Sequence, residues 1–164
     1  MIDIFRGSYY FLSNFYPCEI EHDSIVYPSL EHYYVALKCD NDQIINGKYY
    51  TCFDFRELIS KVKSPGKVKI IGKNIKVRSD WNDIKLDIMW IGIQQKFRNK
   101  ELSELLISTG DQKLVEGNYW HDNFYGQCTC EKCIDKGKNK LGKLLMKIRS
   151  ELNGTQKKGL EQLF

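Results

Sequence analysis

A mostly helical α+β domain with a small antiparallel sheet is the fold class this sequence predicts, on three observations. Apolar residues recur at three- and four-residue intervals over residues 83–99 and 140–152, which is the helical period. Short runs of apolar and aromatic residues bracket Asp23-Ser24, the pattern of one small hairpin. Of the 164 residues, 42% are hydrophobic and 28% charged, values that suit one ordinary folded domain. That domain is expected over residues 1–154, with 155–164 as a C-terminal tail. With no internal repeat and no linker composition, a second domain has no foothold.

In chain order, residues 4–12 and 18–27 read as short strands, the latter folding back about Asp23-Ser24. Pro28 ends the hairpin, and Ser29 is placed to N-cap a helix from Leu30 towards Lys38. Leu30, Tyr33, Tyr34 and Leu37 form its packing side. Residues 40–51 read as a polar loop. Asp54–Val62 is a short helix, and Ser64-Pro65 opens another that Gly72 ends. The longest helical pattern is Asp83–Asn99, with Ile84, Leu86, Ile88, Met89, Ile91, Ile93 and Phe97 making a wide apolar stripe. Glu101–Ser108 follows, stopped by Thr109-Gly110. Lys113–Glu116 is a brief strand. Residues 117–138 form a long irregular segment, and loops of that length are more often functional or metal-stapled than idle. A final helix, Lys140–Leu152, aligns Leu141, Leu144, Leu145, Ile148 and Leu152, and Gly154 is expected to stop it.

Several function classes drop out. The net charge of +4 is mild and its lysines are dispersed, which favours phosphate-bearing ligands without making a nucleic-acid-binding arm. The first residues lack the basic and long apolar stretches of a signal peptide, and no apolar run reaches the ~20 residues of a membrane span. A cytoplasmic location with reduced thiols is therefore expected for the six cysteines. Phosphate-loop, dinucleotide-binding, zinc-protease and serine-hydrolase motifs are all missing from the sequence.

Four constellations could carry chemistry. Lys96 follows Gly92 by one helical turn, so the two share a face. Glycine inside a helix costs ~1 kcal/mol against alanine, and either room for a ligand beside the Lys96 stem or close helix packing would compensate. Glu31 and His32 lie in the first turn of their helix, where anions are favoured. There Glu31 could act as an acid or base, and His32 could hold a ligand or merely complete the cap with Ser29. Trp120-His121-Asp122 pairs an aromatic surface with a carboxylate, an arrangement that suits a sugar with a developing oxocarbenium charge. Cys128, Cys130 and Cys133 make a C-x-C-x₂-C run whose fourth ligand, His121 or another cysteine, is not fixed by spacing. No metal is expected; one bound there would staple the loop rather than catalyse.

Phe5-Arg6-Gly7, Phe11-Leu12-Ser13-Asn14-Phe15-Tyr16-Pro17 and Ser29-x-Glu31-His32 resemble the opening of the NADAR (YbiA-like) family. Trp81, Met89, Lys96-Phe97-x-Asn99 and Leu102 through Thr109-Gly110 are similar to its middle. Leu114-Val115-Glu116, Asp122, Gly126 and Asn139-Lys140-Leu141-Gly142-x-Leu144-Leu145-Met146-x-Ile148-Arg149 resemble its end. The match is ordered over nearly all of residues 4–150.

The resemblance implies an N-glycosidase that cuts a ribosyl C1′–N bond without a cofactor. Its substrate would be an ADP-ribosylated guanine in nucleic acid, or a phosphoribosyl nucleotide-like intermediate of riboflavin biosynthesis. A non-catalytic module that binds ADP-ribose or an NAD derivative is the third reading. By the resemblance, Lys96 would capture the opened sugar as a Schiff base, with Glu31 and Asp122 sharing the acid and base roles in either order. Desolvation in a pocket is what would make such a lysine nucleophilic. Arg6, Ser13, Asn14, Phe15, His32, Trp81, Asn99, Trp120, Gly126, Asn139 and Arg149 would bind substrate. Where many family members carry Trp-Gly after the aspartate, this chain has Phe124-Tyr125-Gly126, so Trp120 is the substitute stacking partner.

Overall fold

The computed structural model describes residues 1–134 and 136–161, with side chains described to residue 155. It forms two compact units, Asn14–Lys96 and Met1–Ser13 with the chain from Phe97 onward.

In the first unit, strands β1 (Pro17–His22) and β2 (Ile25–Ser29) pair antiparallel, with Ile20 opposite Tyr27 and His22 opposite Ile25. Asp23 and Ser24 both take positive φ, 49° and 62°. This left-handed pair matches the natural twist of a two-residue hairpin. Pro28 does not end the hairpin as expected. The strand runs on to Ser29, with Ile25, Tyr27 and Ser29 buried and Val26 and Pro28 exposed. Proline is tolerated here because a two-stranded sheet is all edge.

Ser29 then caps helix α1 (Leu30–Ala36), its Oγ accepting the His32 N–H at 3.3 Å. All seven α1 residues are buried, because α2 (Cys52–Lys61), α3 (Pro65–Ile71), α4 (Trp81–Lys96) and the hairpin all pack against it. Thr51 and Ser64 cap α2 and α3 through their side chains, and Pro65 opens α3. The expected polar loop at 40–51 holds a second hairpin, β3 (Gln43–Ile45) with β4 (Lys48–Tyr50). Its turn, Asn46-Gly47, has φ of 53° and 77°, conformations that Asn and Gly adopt most readily. The strands are three residues long and largely exposed, so hydrophobic alternation could not announce them.

In the second unit the expected strand over 4–12 is a 3-10 helix, Gly7–Leu12, with Phe11 and Leu12 buried side by side. Two adjacent buried residues cannot come from one face of a strand. Helices α5 (Lys100–Ser108) and α6 (Lys140–Glu161) pack together. Gly154 does not stop α6, which continues to Glu161 and is the longest helix among the described residues. Glycine ends a helix only where the chain turns left-handed, and Gly154 is not among the positive-φ residues. Residues 162–164 of the expected tail lie outside the described residues. The brief strand at 113–116 reduces to a single parallel bridge between Leu114 and Ile2. The irregular segment carries two short parallel strands, β5 (Gly117–Asn118) and β6 (Gln127–Cys128), and a 3-10 turn at Glu131–Cys133. The architecture is the expected α+β class, helical with small sheets, although one of its strand pairs is parallel. No helix among the described residues is long and apolar enough to cross a membrane.

Candidate active site

Lys96 ends α4 on its buried face and is only 2% exposed. The end of a helix favours a cation, since unpaired carbonyls collect there. Gln95 fixes this turn onto β1: its Oε1 accepts the Glu21 N–H at 2.9 Å and its Nε2 donates to the Glu21 carbonyl at 3.0 Å. The Lys96 Nζ stands 5.6 Å from the centre of the Tyr16 ring. Burial pushes the Cys18 thiol above its ordinary pKa, and the Lys96 charge opposes that shift. Tyr16 and Cys18 are the surroundings of Lys96 that reading the sequence did not name. Tyr16 lay in plain view in the Phe11–Pro17 motif, whereas nothing marked Cys18.

The Gly92 position is not an open patch beside the lysine. A Cβ built there would meet Leu30 Cδ1 at 2.3 Å and the Tyr33 ring at 2.9 Å. Close packing of α4 on α1 is the reason for this glycine, and the ligand-room reading falls.

On α1, Glu31 is 8% exposed, and its backbone N–H donates to the Asn14 carbonyl at 3.0 Å. Asn14 Oδ1 is buried and has no hydrogen-bond partner among the described residues. It is therefore an acceptor that a ligand donor could satisfy. His32, in contrast, is committed at both ring nitrogens. Nε2 lies 2.7 Å from the Val62 carbonyl and Nδ1 2.7 Å from Ser29 Oγ. A carbonyl only accepts, so Nε2 carries the proton and Nδ1 accepts from the serine hydroxyl. Burial lowers the His32 pKa, with the Val62 carbonyl partly opposing it. His32 thus ties α1 to the α2–α3 connection, and its ring has no nitrogen left for a ligand.

Trp81, at the start of α4, stacks edge-on against Tyr34 with centroids 4.8 Å apart. Lys38 reaches over both rings, 5.5 Å from Tyr34 and 6.0 Å from Trp81. Its pKa is lowered, first by burial, with Glu31 raising it and Lys69, Lys73 and Lys85 lowering it. Lys69 in turn lies 5.9 Å from the Phe15 ring. The first unit holds Asn14, Phe15, Glu31, Trp81 and Lys96. Glu31 stands against Asn14, Lys38 over Tyr34 and Trp81, Lys69 by Phe15, and Lys96 by Tyr16, an unforeseen set of lysines and aromatic rings. Spacing could not reveal this set, because its lysines come from three separate elements.

The second unit holds the other expected residues. Asp122 Oδ1 accepts the backbone N–H groups of Phe124 and Tyr125, both at 3.0 Å, and of Gly126 at 3.5 Å. The carboxylate therefore shapes the Phe124-Tyr125-Gly126 loop. Gly126 is required there, since a Cβ would stand 2.5 Å from the Glu116 carbonyl and from Asn118 Nδ2. Asn139 is engaged at both ends of its amide, accepting from the Glu116 N–H and donating to the Leu114 carbonyl. Arg149 donates to Thr109 Oγ1 at 2.7 Å and to the Gln112 carbonyl at 2.9 Å. Asn99 caps α5 through Oδ1 and is exposed. These three side chains hold protein groups, which accounts for them without a ligand. Arg6 and Trp120 are exposed, and Ser13 closes the 3-10 helix through its N–H. A cavity of about 480 Å³ lined by Asp3, Lys113, Asn118, Tyr119 and Gln127 among others includes none of the expected site residues.

The model of the NADAR domain family matches residues 4–153. A riboflavin biosynthesis protein of Vibrio vulnificus is 32% identical over 145 residues, covering 87% of this chain and 35% of its own length. A chloroplastic riboflavin biosynthesis protein of Zea mays is 35% identical, over 87% of this chain and 23% of its own. The chain therefore spans about a third or less of these two relatives. The N-glycosidase YbiA of Escherichia coli is 34% identical over 147 residues, covering 85% of this chain and 79% of that protein. The NMR structure of Escherichia coli YbiA superimposes with a TM-score of 0.74 at 30% identity, covering 95% of this chain and 89% of the other.

Proposed function

The chain belongs to the NADAR domain family, and from that premise we propose that it is an N-glycosidase that removes ADP-ribose from guanine bases of nucleic acid. The observation that carries the reading is the buried Lys96 amine beside Tyr16, in the same unit as the buried carboxylate of Glu31. Relatives matched along most of their length are named N-glycosidases.

In the proposed reaction, Glu31 in its protonated form gives its proton to O4′ as the C1′–O4′ bond breaks, and the lone pair of the guanine nitrogen makes a C1′=N iminium. The Lys96 amine, deprotonated, adds to that C1′, and the proton it gives up passes through the Glu31 carboxylate to the leaving guanine nitrogen. The C1′–N bond to the base breaks as the C1′–Nζ imine forms. Water then adds to the imine, releasing the sugar aldehyde and restoring the amine. Covalent capture of this kind divides one hard step into two easier ones. In the second unit, Asp122 Oδ1 holds the 124–126 backbone, so any proton transfer by that side chain falls to Oδ2. Lys38 and its neighbouring lysines, together with the Tyr34 and Trp81 rings, suit a ligand with two phosphates and a flat base.

Mass spectrometry of products from guanine-ADP-ribosylated DNA tests the reading. Release of ADP-ribose with recovery of unmodified guanine supports it. Borohydride reduction during turnover is expected to leave a ribose-derived mass on Lys96. No release from that DNA, in protein with native circular dichroism, overturns the substrate. Hydrolysis of phosphoribosyl intermediates of riboflavin biosynthesis is then the reading to try, favoured by the printed names of two relatives. Binding of ADP-ribose with no turnover of either substrate would leave the binding module.

A further inference from the structure

We propose that His121, Cys128, Cys130 and Cys133 bind a zinc ion that staples the irregular loop of the second unit. Spacing alone leaves the fourth ligand open, and the fold supplies it in His121. His121 Nδ1 lies 3.3 Å from Cys133 Sγ, 3.4 Å from Cys130 Sγ and 3.9 Å from Cys128 Sγ. Cys128 and Cys130 Sγ are 3.4 Å apart. All four ligand atoms lie within 4.8 Å of one another.

These spacings, from 3.3 Å to within 4.8 Å, bracket those of a tetrahedral site, so shifts of about 1 Å or less would close the ligands on one ion. Zinc–sulfur bonds of about 2.3 Å and zinc–nitrogen bonds of about 2.0–2.1 Å put neighbouring ligands roughly 3.5–3.8 Å apart. The three sulfurs are free thiols, too far apart to be a disulfide. Three soft thiolates and one imidazole select zinc and offer nothing to magnesium or calcium, which take oxygen ligands. Four protein ligands close the coordination sphere, which makes the site structural rather than catalytic.

The backbone is shaped to bring the ligands together. His121 has φ of 65°, an uncommon conformation for a residue other than glycine. Cys130 precedes and Cys133 ends the 3-10 turn, which is closed by the Cys133 N–H to the Cys130 carbonyl at 2.9 Å. The Asn123 side chain holds the Cys128 N–H at 3.2 Å. Cys128 and Cys133 are buried, although the loop has little regular structure of its own to hold them. The metal would join β6, the 3-10 turn and the 121–126 bend into one piece. Asp122 and Trp120 flank a ligand directly, so the same ion sets where those two residues stand.

The test is the metal content of the full chain, purified with reductant and without chelator after growth with added zinc. One zinc per chain is expected, and a mercurial should release it as three thiols are titrated. His121→Ala and Cys130→Ser are expected to lower the content at least tenfold, while Cys39→Ser and Cys52→Ser retain it. Cobalt substitution should give a thiolate charge-transfer band and the visible bands of a tetrahedral ion. Should a variant fail to fold, the wild-type stoichiometry and the cobalt spectrum still decide. Less than a tenth of a zinc per chain with no uptake on titration, retention of zinc in His121→Ala, or an octahedral cobalt spectrum would each overturn the proposal.

Discussion

Gly92 of α4 lies so close beneath Leu30 of α1 that a Cβ on the glycine would stand 2.3 Å from Leu30 Cδ1. Both residues are buried, and the Tyr33 ring closes the other side at 2.9 Å. Gly92→Ala gains ~1 kcal/mol of helix propensity, but overpacking of this kind costs about 1–3 kcal/mol. A net loss of stability in urea unfolding is expected, eased when Leu30→Ala is added. An alanine variant as stable as the parent would mean that α1 and α4 yield easily.

Lys96→Met keeps an unbranched side chain of similar length in a buried site, so the fold should survive it. If the lysine forms the covalent intermediate, turnover falls by about 10³-fold or more, ~4 kcal/mol in barrier. The borohydride-trapped mass on this residue disappears. Steady-state rates together with circular dichroism separate loss of chemistry from loss of fold.

Asp122→Asn and Asp122→Ala divide the two roles of that side chain. Asparagine retains an oxygen able to accept the Phe124 and Tyr125 N–H groups, so hydrogen exchange across 122–126 should remain slow. Alanine leaves those groups unpaired, at about 1–3 kcal/mol. Both variants should lose about 10²–10⁴-fold in rate if the carboxylate transfers a proton. Full activity in Asp122→Asn would confine the residue to shaping the loop.

Burial lowers the pKa of His32 below its ordinary 6.5. The unfolded chain therefore takes up a proton near 6.5 while the folded chain stays neutral to lower pH. The stability this residue contributes is complete above that value and is lost as the pH falls through it. A His32→Gln variant should show a shallower decline in unfolding free energy between about pH 7 and 5.5. The His32 ring resonances should titrate below 6.5 in the folded protein.

Tyr27 and Tyr33 are pushed up to about 12, chiefly by burial. Unfolded tyrosines ionise near 10, so stability is full below that pH and declines between about 10 and 12. The Tyr27 hydroxyl has no hydrogen-bond partner among the described residues. Tyr27→Phe should therefore match or exceed the parent at pH 7 and lose less on approach to pH 12. Chemical denaturation at the two pH values measures both effects, and a variant clearly weaker at pH 7 would show that the hydroxyl is held.

Local signals were legible where a few neighbouring residues settle the matter. Ser29 and Ser64 cap helices through contacts three residues away, and Pro65 and Gly72 bound α3. The Asn46-Gly47 turn was equally local, but its strands were too short and exposed to draw notice. At 4–12 the aromatic residues suggested a strand, and Gly7, with φ of 55°, instead enters a 3-10 helix. The site residues divided in the same way. The motifs pointed to Lys96, Glu31 and Asp122 by resemblance, whereas Asn139, Arg149 and His32 proved to be tied to backbone or side-chain groups distant in sequence.

By itself, the sequence determined the α+β class, most helix starts and the family, because capping, periodicity and ordered motifs are carried by adjacent residues. Only the tertiary structure decided that Gly92 serves packing, that Tyr16 and Cys18 surround Lys96, and that His121 completes a ring of three thiols. Those relationships depend on distances between segments, and such distances exist only once α1, α4 and the loops are packed.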